Sequence, residues 1–202
     1  MKIIIILLSA FAIISCKEKE KSSETSLGNA INSMQSLNKI GNETDEINKR
    51  TEELLKAPLI SNEEFKAAIP ETLLGLPRKE IALGEAKMMS INNATAKYSD
   101  GGEIEVNISI TDGAGEMGSS IYTLTKLALI ADVEKQTENG WKKSMTISGN
   151  KCLVEEDKSY DVLNSKITFI AKDRYIISLE SRGLSAEELK KAIGELNLNS
   201  LK

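Results

Sequence analysis

One short motif in this sequence has residue types and a spacing that could bind a charged substrate. Asp112-Gly113-Ala114-Gly115 lies between a predicted strand and a predicted helix, and Glu116 follows it directly. Backbone amides at the beginning of a helix can bind a phosphate or carboxylate, so Asp112, Gly113 and Gly115 form a candidate anion-binding turn. The glycine spacing matches neither a Walker A loop nor a dinucleotide fingerprint. We favour the plainer interpretation, a tight turn in which Asp112 or Glu116 interacts with the helix dipole.

Composition excludes most other chemistry. The chain contains no histidine, so it has no Ser-His-Asp or Cys-His catalytic group and lacks the most common metal ligand. A hydrolase would have to use carboxylates such as Asp112 and Glu116. The formal net charge of −4, with mixed signs, argues against nucleic acid, which needs concentrated positive patches. We expect no catalytic residue, no metal, no cofactor and no nucleic-acid partner.

Three weaker groups each have a structural interpretation that we favour. Glu155-Glu156-Asp157 could bind calcium but lacks the spacing of an EF-hand loop, so a solvated turn is expected. Met88-Met89 could contribute to a soft-metal site, although ordinary packing is simpler. Trp141 and Tyr98 could line an apolar pocket, but a chain with so few aromatic residues needs them in its core. Cys152 is expected to be a small buried strand residue.

The elements that carry these residues indicate an α+β fold. Alternating apolar and polar residues predict strands over 91–98 and 103–111, joined by a turn at Ser99-Asp100-Gly101-Gly102. Further hairpins are expected over 141–155 and 163–181. We predict an antiparallel sheet of about five or six strands with packed helices. This order is reminiscent of the PsbP-type α/β/α sandwich, an analogy that concerns the fold alone.

Helices are predicted at the beginning, middle and end of this domain. Ser61 with Glu64, and Ser185 with Glu188, have the capping-box spacing that begins a helix. The middle helix should run from the candidate turn to about Lys135. The residues expected in the core are Phe65, Ala68 and Ile69 in the first helix, Met117, Ile121, Leu124, Leu127, Ala128 and Ala131 in the second, and Leu189, Ala192, Ile193 and Leu196 in the third.

Residues 27–57 are predicted to form an amphipathic helical stalk that precedes the domain. Gly41 could break the helix in two, and Pro58 ends it. One interpretation is a coiled coil that self-associates or docks on a partner through residues 27–56. The other, which we favour, is a helix packed on its own domain or a partly frayed linker. The apolar positions at helical or heptad intervals are Leu27, Ile31, Met34, Leu37, Ile40, Ile47 and Leu54.

The N-terminus carries a targeting pattern. Lys2 precedes a short apolar run that has fewer than the roughly 20 residues needed to cross a bilayer. The run ends at Ile13-Ile14-Ser15-Cys16, which resembles the lipobox of bacterial lipoproteins, with Ile13 where leucine is more frequent. The resemblance implies a signal peptide over 1–15, cleavage between Ser15 and Cys16, and acylation of Cys16, which would hold the protein on a lipid membrane. The alternative is an ordinary secretory signal or an uncleaved anchor.

The residues that follow Cys16 give expectations about the tether, the domain and the membrane to which the protein is attached. Residues 16–26 comprise the lipidated cysteine and a polar tether, and residues 58–202 are the predicted α+β domain. Lys17 stands where inner-membrane lipoproteins of enteric bacteria typically carry Asp, so the resemblance favours the outer membrane. The charged run 17–21 also resembles the export signals of some surface-exposed lipoproteins, although a solvated spacer is the simpler interpretation.

The domain itself resembles a group of uncharacterised bacterial secreted and lipid-anchored proteins. The resemblance rests on short motifs, in order, at 69–78, 94–98 and 108–115. The group has no established activity, so the resemblance implies a fold rather than a reaction. We expect a membrane-anchored, non-enzymatic envelope lipoprotein that binds a protein partner or organises the envelope. The alternatives are a carrier or sensor of a small hydrophobic ligand and a carboxylate-based hydrolase.

Overall fold

One antiparallel sheet joins most of the described chain. The computed structural model describes residues 43–84, 91–159 and 161–202. Several predicted features lie outside the described residues: the signal peptide 1–15 with Ser15, Cys16 and the tether 16–26, residues 27–42 of the stalk, and Met88-Met89.

The strands are β1 Thr72–Leu73, β2 Leu76–Leu83, β3 Asn93–Ser99, β4 Glu105–Asp112, β5 Glu134–Thr137, β6 Gly140–Ile147, β7 Asn150–Ser159, β8 Val162–Ala171 and β9 Tyr175–Arg182. The helices in the described ranges are α1, residues 43–56, α2 Asn62–Ala68, α3 Gly115–Ile130 and α4 Ala186–Leu189. Two 3₁₀ segments follow, Lys190–Glu195 and Leu198–Ser200.

Two meanders form the sheet and meet in its middle. Strands β1 to β4 run from one edge inward and β5 to β9 from the other, which gives the order β1-β2-β3-β4-β9-β8-β7-β6-β5. Every neighbouring pair is antiparallel, and Ile108 lies opposite Leu179 at the central junction. Helix α3 carries the chain from the centre to the far edge. The predicted α+β class, with an antiparallel sheet, is confirmed.

The sheet has nine strands within the described residues, more than the five or six expected. The additional strands are at the edges: β1 has two residues, β2 contains Pro77 and three charged residues, and β5 is exposed at every position. An edge strand buries few side chains and is held mainly by backbone hydrogen bonds. The apolar alternation that identifies a half-buried strand is therefore weak or absent in these segments.

Alternation in the central strands divides the sheet into two faces. In β4, Ile108 and Ile110 are buried on what we call the inner face, whereas Asn107 and Ser109 belong to the opposite, outer face. Helices α2 and α4 and the 3₁₀ segments cover the inner face and complete one core. Phe65 of α2, fully buried, is the largest side chain that these helices contribute.

Both predicted capping boxes are confirmed. The Glu64 amide donates to Ser61 Oγ at 3.2 Å and the Ser61 amide donates to Glu64 Oε2 at 2.9 Å; Ser185 and Glu188 repeat the arrangement. These bonds satisfy amides that the first turn of a helix leaves without partners. The core residues predicted behind the two caps are all buried: Phe65, Ala68, Ile69, Leu189, Ala192, Ile193 and Leu196.

Helix α1 packs on the outer face of the sheet. Leu54 is 1% exposed and forms a second, small core with Tyr122 of α3 and Ile176 of β9. Thr51 Oγ1 lies 2.7 Å from Thr123 Oγ1 of α3. Residues 43–56 therefore belong to the same compact unit as the sheet, and that unit comprises Glu43–Lys202.

Helix α3 buries a different side from the one predicted, and it ends at Ile130 rather than near Lys135. Its buried residues are Gly118, Ser119, Tyr122 and Leu129. A Cβ on Gly118 would lie 2.4 Å from the Asp112 carbonyl oxygen, so small residues are needed where the helix approaches the end of β4. Of the predicted apolar stripe, Met117, Leu124, Leu127, Ala128 and Ala131 are exposed and Ile121 is half-buried.

Candidate functional site

Among the described residues, helices cover the outer face of the sheet at only one end. There α1 and α3 pack over Ile170 and Ile176. Beyond them lie two depressions of about 370 and 420 Å³, which share Asn107 and Glu180. We call this surface the trough. It is lined by Thr95, Lys97, Asn107, Ser109, Lys166, Ser178, Glu180 and Arg182, with Glu80 and Glu155 at its ends.

Charged side chains follow one line across the trough. The strand register sets Lys97, Asn107, Glu180 and Lys166 side by side. Lys166 Nζ lies 2.7 Å from Glu180 Oε1, and Lys97 Nζ lies 2.6 Å from Glu105 Oε2. Hydrogen bonds from Lys97 and Asn107 hold the pKa of Glu105 below its usual range, so this carboxylate is ionised at neutral pH. The trough therefore presents paired charges of both signs, which suits a polar partner of mixed charge.

Neutral hydroxyl groups form the adjoining line. Thr95, Ser109, Ser178 and Thr168 are cross-strand neighbours on β3, β4, β9 and β8. Ser178 Oγ is buried and has no hydrogen-bond partner among the described residues, an uncommon state for a buried polar atom. Ser178 also lines the first depression, directly above this buried hydroxyl.

The side chains of the trough suit binding. They can donate and accept hydrogen bonds and form ion pairs. Within the described ranges, no three His, Cys, Asp or Glu residues are placed to hold a metal ion. Cys152 is buried on the inner face as expected, and burial raises the pKa of its thiol to about 11, which keeps it protonated and unreactive.

Two amides of the candidate anion-binding turn, those of Gly113 and Ala114, are used by the chain's own groups. The Asp112 carboxylate, 0% exposed, forms a two-point ion pair with Arg174, 2.7 Å from Nε and 2.9 Å from Nη2. It also accepts from the amides of Ile60 and Ala114, each at 3.0 Å. The Gly113 amide donates to the Arg174 carbonyl oxygen at 3.0 Å. Asp112 thus bonds the residue that precedes α3, and the helix itself has no side-chain cap.

The other residues of that motif are not gathered into a site. Gly115 has a φ of +80°, a conformation that favours glycine, and it begins α3. Glu116 is exposed on the first turn. Because the oxygens of Asp112 already accept bonds from Arg174, Ile60 and Ala114, the geometry gives Asp112 a structural role and offers no free carboxylate pair with Glu116.

Arg174 belongs to a turn whose three consecutive residues hold three parts of the chain together. We call Lys172-Asp173-Arg174, between β8 and β9, the clasp. Lys172 donates to the Leu201 carbonyl oxygen, next to the last 3₁₀ segment. Arg174 Nη2 donates to the Pro58 carbonyl oxygen at 2.6 Å, in the segment after α1. The hydrogen bonds that Arg174 donates to Asp112 raise the pKa of the guanidinium above its ordinary value.

Asp173, the middle residue of the clasp, contacts α1 and α3, the two helices on the outer face of the sheet. It accepts from Tyr122 Oη at 2.7 Å and Lys126 Nζ at 2.6 Å, both on α3, and Arg50 of α1 donates to its carbonyl oxygen at 3.0 Å. Lys172 and Asp173 have φ values of 50° and 49°, in the left-handed region that non-glycine residues rarely occupy. This backbone conformation costs free energy, and the hydrogen bonds of the Lys172 and Asp173 side chains stabilise it.

The acidic cluster predicted from the sequence is divided between the two faces. Glu155 and Asp157 lie along the outer face, where Glu155 pairs with Lys142 at 3.0 Å. Glu156 accepts instead from Trp141 Nε1 at 3.2 Å and from the Ala186 amide at 2.7 Å. The cluster lies within β7 and not in a turn, so strand alternation separates its carboxylates.

Trp141 and Tyr98 pack in the core, as expected. Tyr98 is fully buried, and its hydroxyl donates to the Pro70 carbonyl oxygen at 2.7 Å. Burial raises the pKa of Tyr98 to about 12. Trp141 is half-buried against the same core. Neither ring lines the trough.

Sequence reasoning identified neither the trough nor the clasp. The strand alternation shows which residues face outward, but the register that aligns Lys97 with Glu180 joins distant parts of the chain. Family models, curated proteins and solved structures were compared with this chain, and none of them matches it. No helix within the described ranges is long and apolar enough to cross a membrane.

Proposed function

We propose that this chain is a lipid-anchored protein of the bacterial envelope that binds a protein partner through the trough and catalyses no reaction. The resemblance of Ile13-Ile14-Ser15-Cys16 to a lipobox supports acylation of Cys16, and Lys17 favours the outer membrane. The observation that supports partner binding is the polar trough, which none of the described helices covers and which contains Ser178, whose hydroxyl has no partner among the described residues.

The chemistry of the trough favours an extended polar segment of protein as the partner. Neighbouring strands place side chains about 4.8 Å apart, so an extended chain laid across them meets a hydroxyl or a charged group at each strand. Peptide N–H and C=O groups complement the hydroxyl line, and side chains of either sign complement the paired charges. We further propose that the sheet, with helices on both faces, is a sandwich of the PsbP type.

Labelling with an alkyne analogue of palmitate tests the anchor. The wild-type chain and Cys152→Ala should both incorporate the label and enter the membrane fraction. Cys16→Ala should remain unlabelled and unprocessed. Equal labelling of Cys16→Ala and wild type would contradict acylation at this residue.

Site-specific photocrosslinking in intact cells tests the trough. A photoreactive amino acid at Asn107 or Lys166 should give one distinct crosslinked protein. The same amino acid at Glu63 or Glu187, exposed on the helices of the inner face, should not. If all four positions give the same products, or if none gives any, the trough is not the binding surface.

A second candidate, a carrier of a small apolar molecule, rests on a separate depression of about 350 Å³. It is lined by Leu74, Leu76, Ile104 and Leu184, with charged residues at its rim. Its volume lies at the lower end for ligand sites. A fluorescent fatty acid should then bind wild type and lose affinity for Leu184→Arg, while Lys166→Ala binds normally. Equal binding to all three proteins would exclude this depression.

A further inference from the structure

The large apolar side chains that are exposed in the described chain all lie on the helices of the outer face or in the segment next to them. All five are on α1, α3 or the segment after α1: Leu55, Leu59, Met117, Leu124 and Leu127. Leu124, in the middle of α3, is 69% exposed and Leu59 is 57% exposed. A single exposed leucine needs no explanation, but a continuous apolar patch usually marks an interaction surface.

Three of these side chains follow one side of α3. Met117, Leu124 and Leu127 recur at intervals of seven and three residues, so they share one side of the helix. The sheet packs against another side of α3, and α1 packs against a third through Thr51 and Thr123. We call the remaining side the apolar stripe: Met117, Leu124, Leu127, Ala128 and Ala131.

Charges at the two ends of the apolar stripe indicate what covers it. Glu116 lies at the N-terminal end, and its carboxylate has no ion pair among the described residues. Lys135 follows the C-terminal end on β5, and it too has no ion pair there. Its register partner Lys142 binds Glu155 on the outer face, so Lys135 is on the same side of the sheet as α3. A chain with a negative and a positive group at opposite ends of an apolar helix is complementary to its own antiparallel copy.

We propose that two copies of this protein associate through the apolar stripe, with the two α3 helices antiparallel around a two-fold axis near Leu124. Such an arrangement is isologous, so each Glu116 faces the Lys135 of the second copy and both ion pairs form. Leu124 and Leu127 bury their side chains against the same residues, and Ala128 and Ala131 allow the helices to approach closely. This surface lies on α3, apart from the trough, and it is independent of the proposed function.

A lipid surface is a less suitable occupant of the apolar stripe. Helices that lie in a membrane interface carry Lys and Arg along the border of their apolar side. Glu116 borders this stripe, and Lys126 of α3 is turned toward Asp173 of the clasp. Along α3 itself the border therefore lacks the row of positive charges that a membrane surface would favour, and Lys135 is a single cation beyond its end.

Disulfide crosslinking of the full-length chain in its own membranes tests the pairing. In a Cys152→Ala background, Leu124→Cys should give a crosslinked dimer under mild oxidation, whereas Glu63→Cys, on α2, should not. No crosslink at Leu124→Cys, or equal crosslinking at both positions, would overturn the proposal.

Charge reversal tests the orientation of the two copies in the same crosslinking assay. Glu116→Lys or Lys135→Glu alone should lower dimer formation about tenfold, since each places like charges together. The double variant should restore it. The matched pair Glu187→Lys and Lys191→Glu, on the inner face, should have no effect. If the double variant fails to recover, the proposed orientation is wrong.

Substitution of Leu124 separates self-association from membrane docking. Leu124→Lys is exposed, so the domain should keep its melting temperature, while the detergent-solubilised chain should change from dimer to monomer in sedimentation velocity. If Leu124→Lys instead leaves the dimer intact and only weakens binding to phosphatidylethanolamine vesicles, the apolar stripe binds lipid and the proposal fails.

Discussion

The clasp and the trough are both built from charged residues on the same sheet, but their charges have different partners. In the clasp, Arg174 is 14% exposed and its partner Asp112 is 0% exposed. In the trough, Lys166 and Glu180 are 45% and 52% exposed and pair only across neighbouring strands. The clasp joins segments that are distant in sequence, whereas the trough leaves its charges accessible to solvent.

This difference separates stability from recognition. A buried ion pair is costly to disrupt, because removal of one partner leaves the other charge without compensation. An exposed pair contributes little to stability and can exchange its partner at little cost. The clasp residues should therefore determine whether the domain is folded, and the trough residues should determine what it binds. Four experiments test this division.

The largest effect should come from Arg174→Ala. This substitution leaves the Asp112 carboxylate buried without its cation and frees the Pro58 carbonyl oxygen, so the free energy of unfolding should fall by about 3 kcal/mol or more. The measurement is urea denaturation. The control Arg182→Ala, in the trough, should change stability by less than about 0.5 kcal/mol. Equal effects of the two substitutions would remove the distinction between the regions.

A smaller, pH-dependent effect is expected from Asp173→Asn. Burial alone would raise the pKa of Asp173, but hydrogen bonds from Lys126 and Tyr122 and the charge of Arg50 lower it below the ordinary 3.8. The carboxylate therefore stabilises the fold above pH 3.8, and this contribution is lost as the pH falls through the lowered pKa. Its side chain is half exposed, so the loss at pH 7 should be about 1 kcal/mol or less.

Thermal unfolding of wild type and Asp173→Asn between pH 7 and pH 2 provides the measurement. The difference in stability between the two proteins should be constant at neutral pH and should shrink in acid. A difference that stays unchanged down to pH 2 would show that the ionised carboxylate of Asp173 is not involved.

Ser178→Ala should have an effect of the opposite sign. Its hydroxyl is buried without a partner, so replacement by a methyl group should leave stability unchanged or raise it by up to about 1 kcal/mol. Photocrosslinking from Asn107 should weaken in the same variant. Ser165→Ala is the matched control, because the hydroxyl of Ser165 is bonded to Ser181 and its loss should be destabilising. A destabilised Ser178→Ala would mean that the hydroxyl is satisfied within the fold.

The smallest effect on stability should come from the pair Lys166 and Glu180. A double-mutant cycle with alanine at both positions should give a coupling energy below about 0.5 kcal/mol, decreasing further with added salt. Crosslinking to the partner should nevertheless fall in each single variant. If the coupling energy of Lys166 with Glu180 is as large as that of Asp112 with Arg174, the trough pair stabilises the fold as the clasp does, and the distinction between the two regions fails.

Local signals in the sequence predicted much of the fold. The capping boxes at Ser61 and Ser185 need only residues within one helical turn, and the alternation around Ile108 needs only one strand. Both predictions are confirmed, because the responsible interactions are short-range. The position of Cys152 in the core was predictable for the same reason.

The failures concern long-range contacts. The strongest apolar pattern in α3 contains Leu124, yet Gly118 and Ser119 face the sheet because the end of β4 leaves no room for larger residues. Strand β5 lacks apolar residues, so nothing in its own sequence indicates a strand. The pairing of Asp112 with Arg174 joins two turns that are distant in sequence, and single-sequence patterns carry no information on such a pair.

The central junction between β4 and β9 has a consequence for folding. Each meander can assemble from neighbouring hairpins. The second edge of β4, however, pairs only with β9, the last strand of the chain, and α4 follows β9 in the sequence. The two meanders can therefore form separately, and the pairing of β4 with β9 is the long-range step that unites them into one sheet.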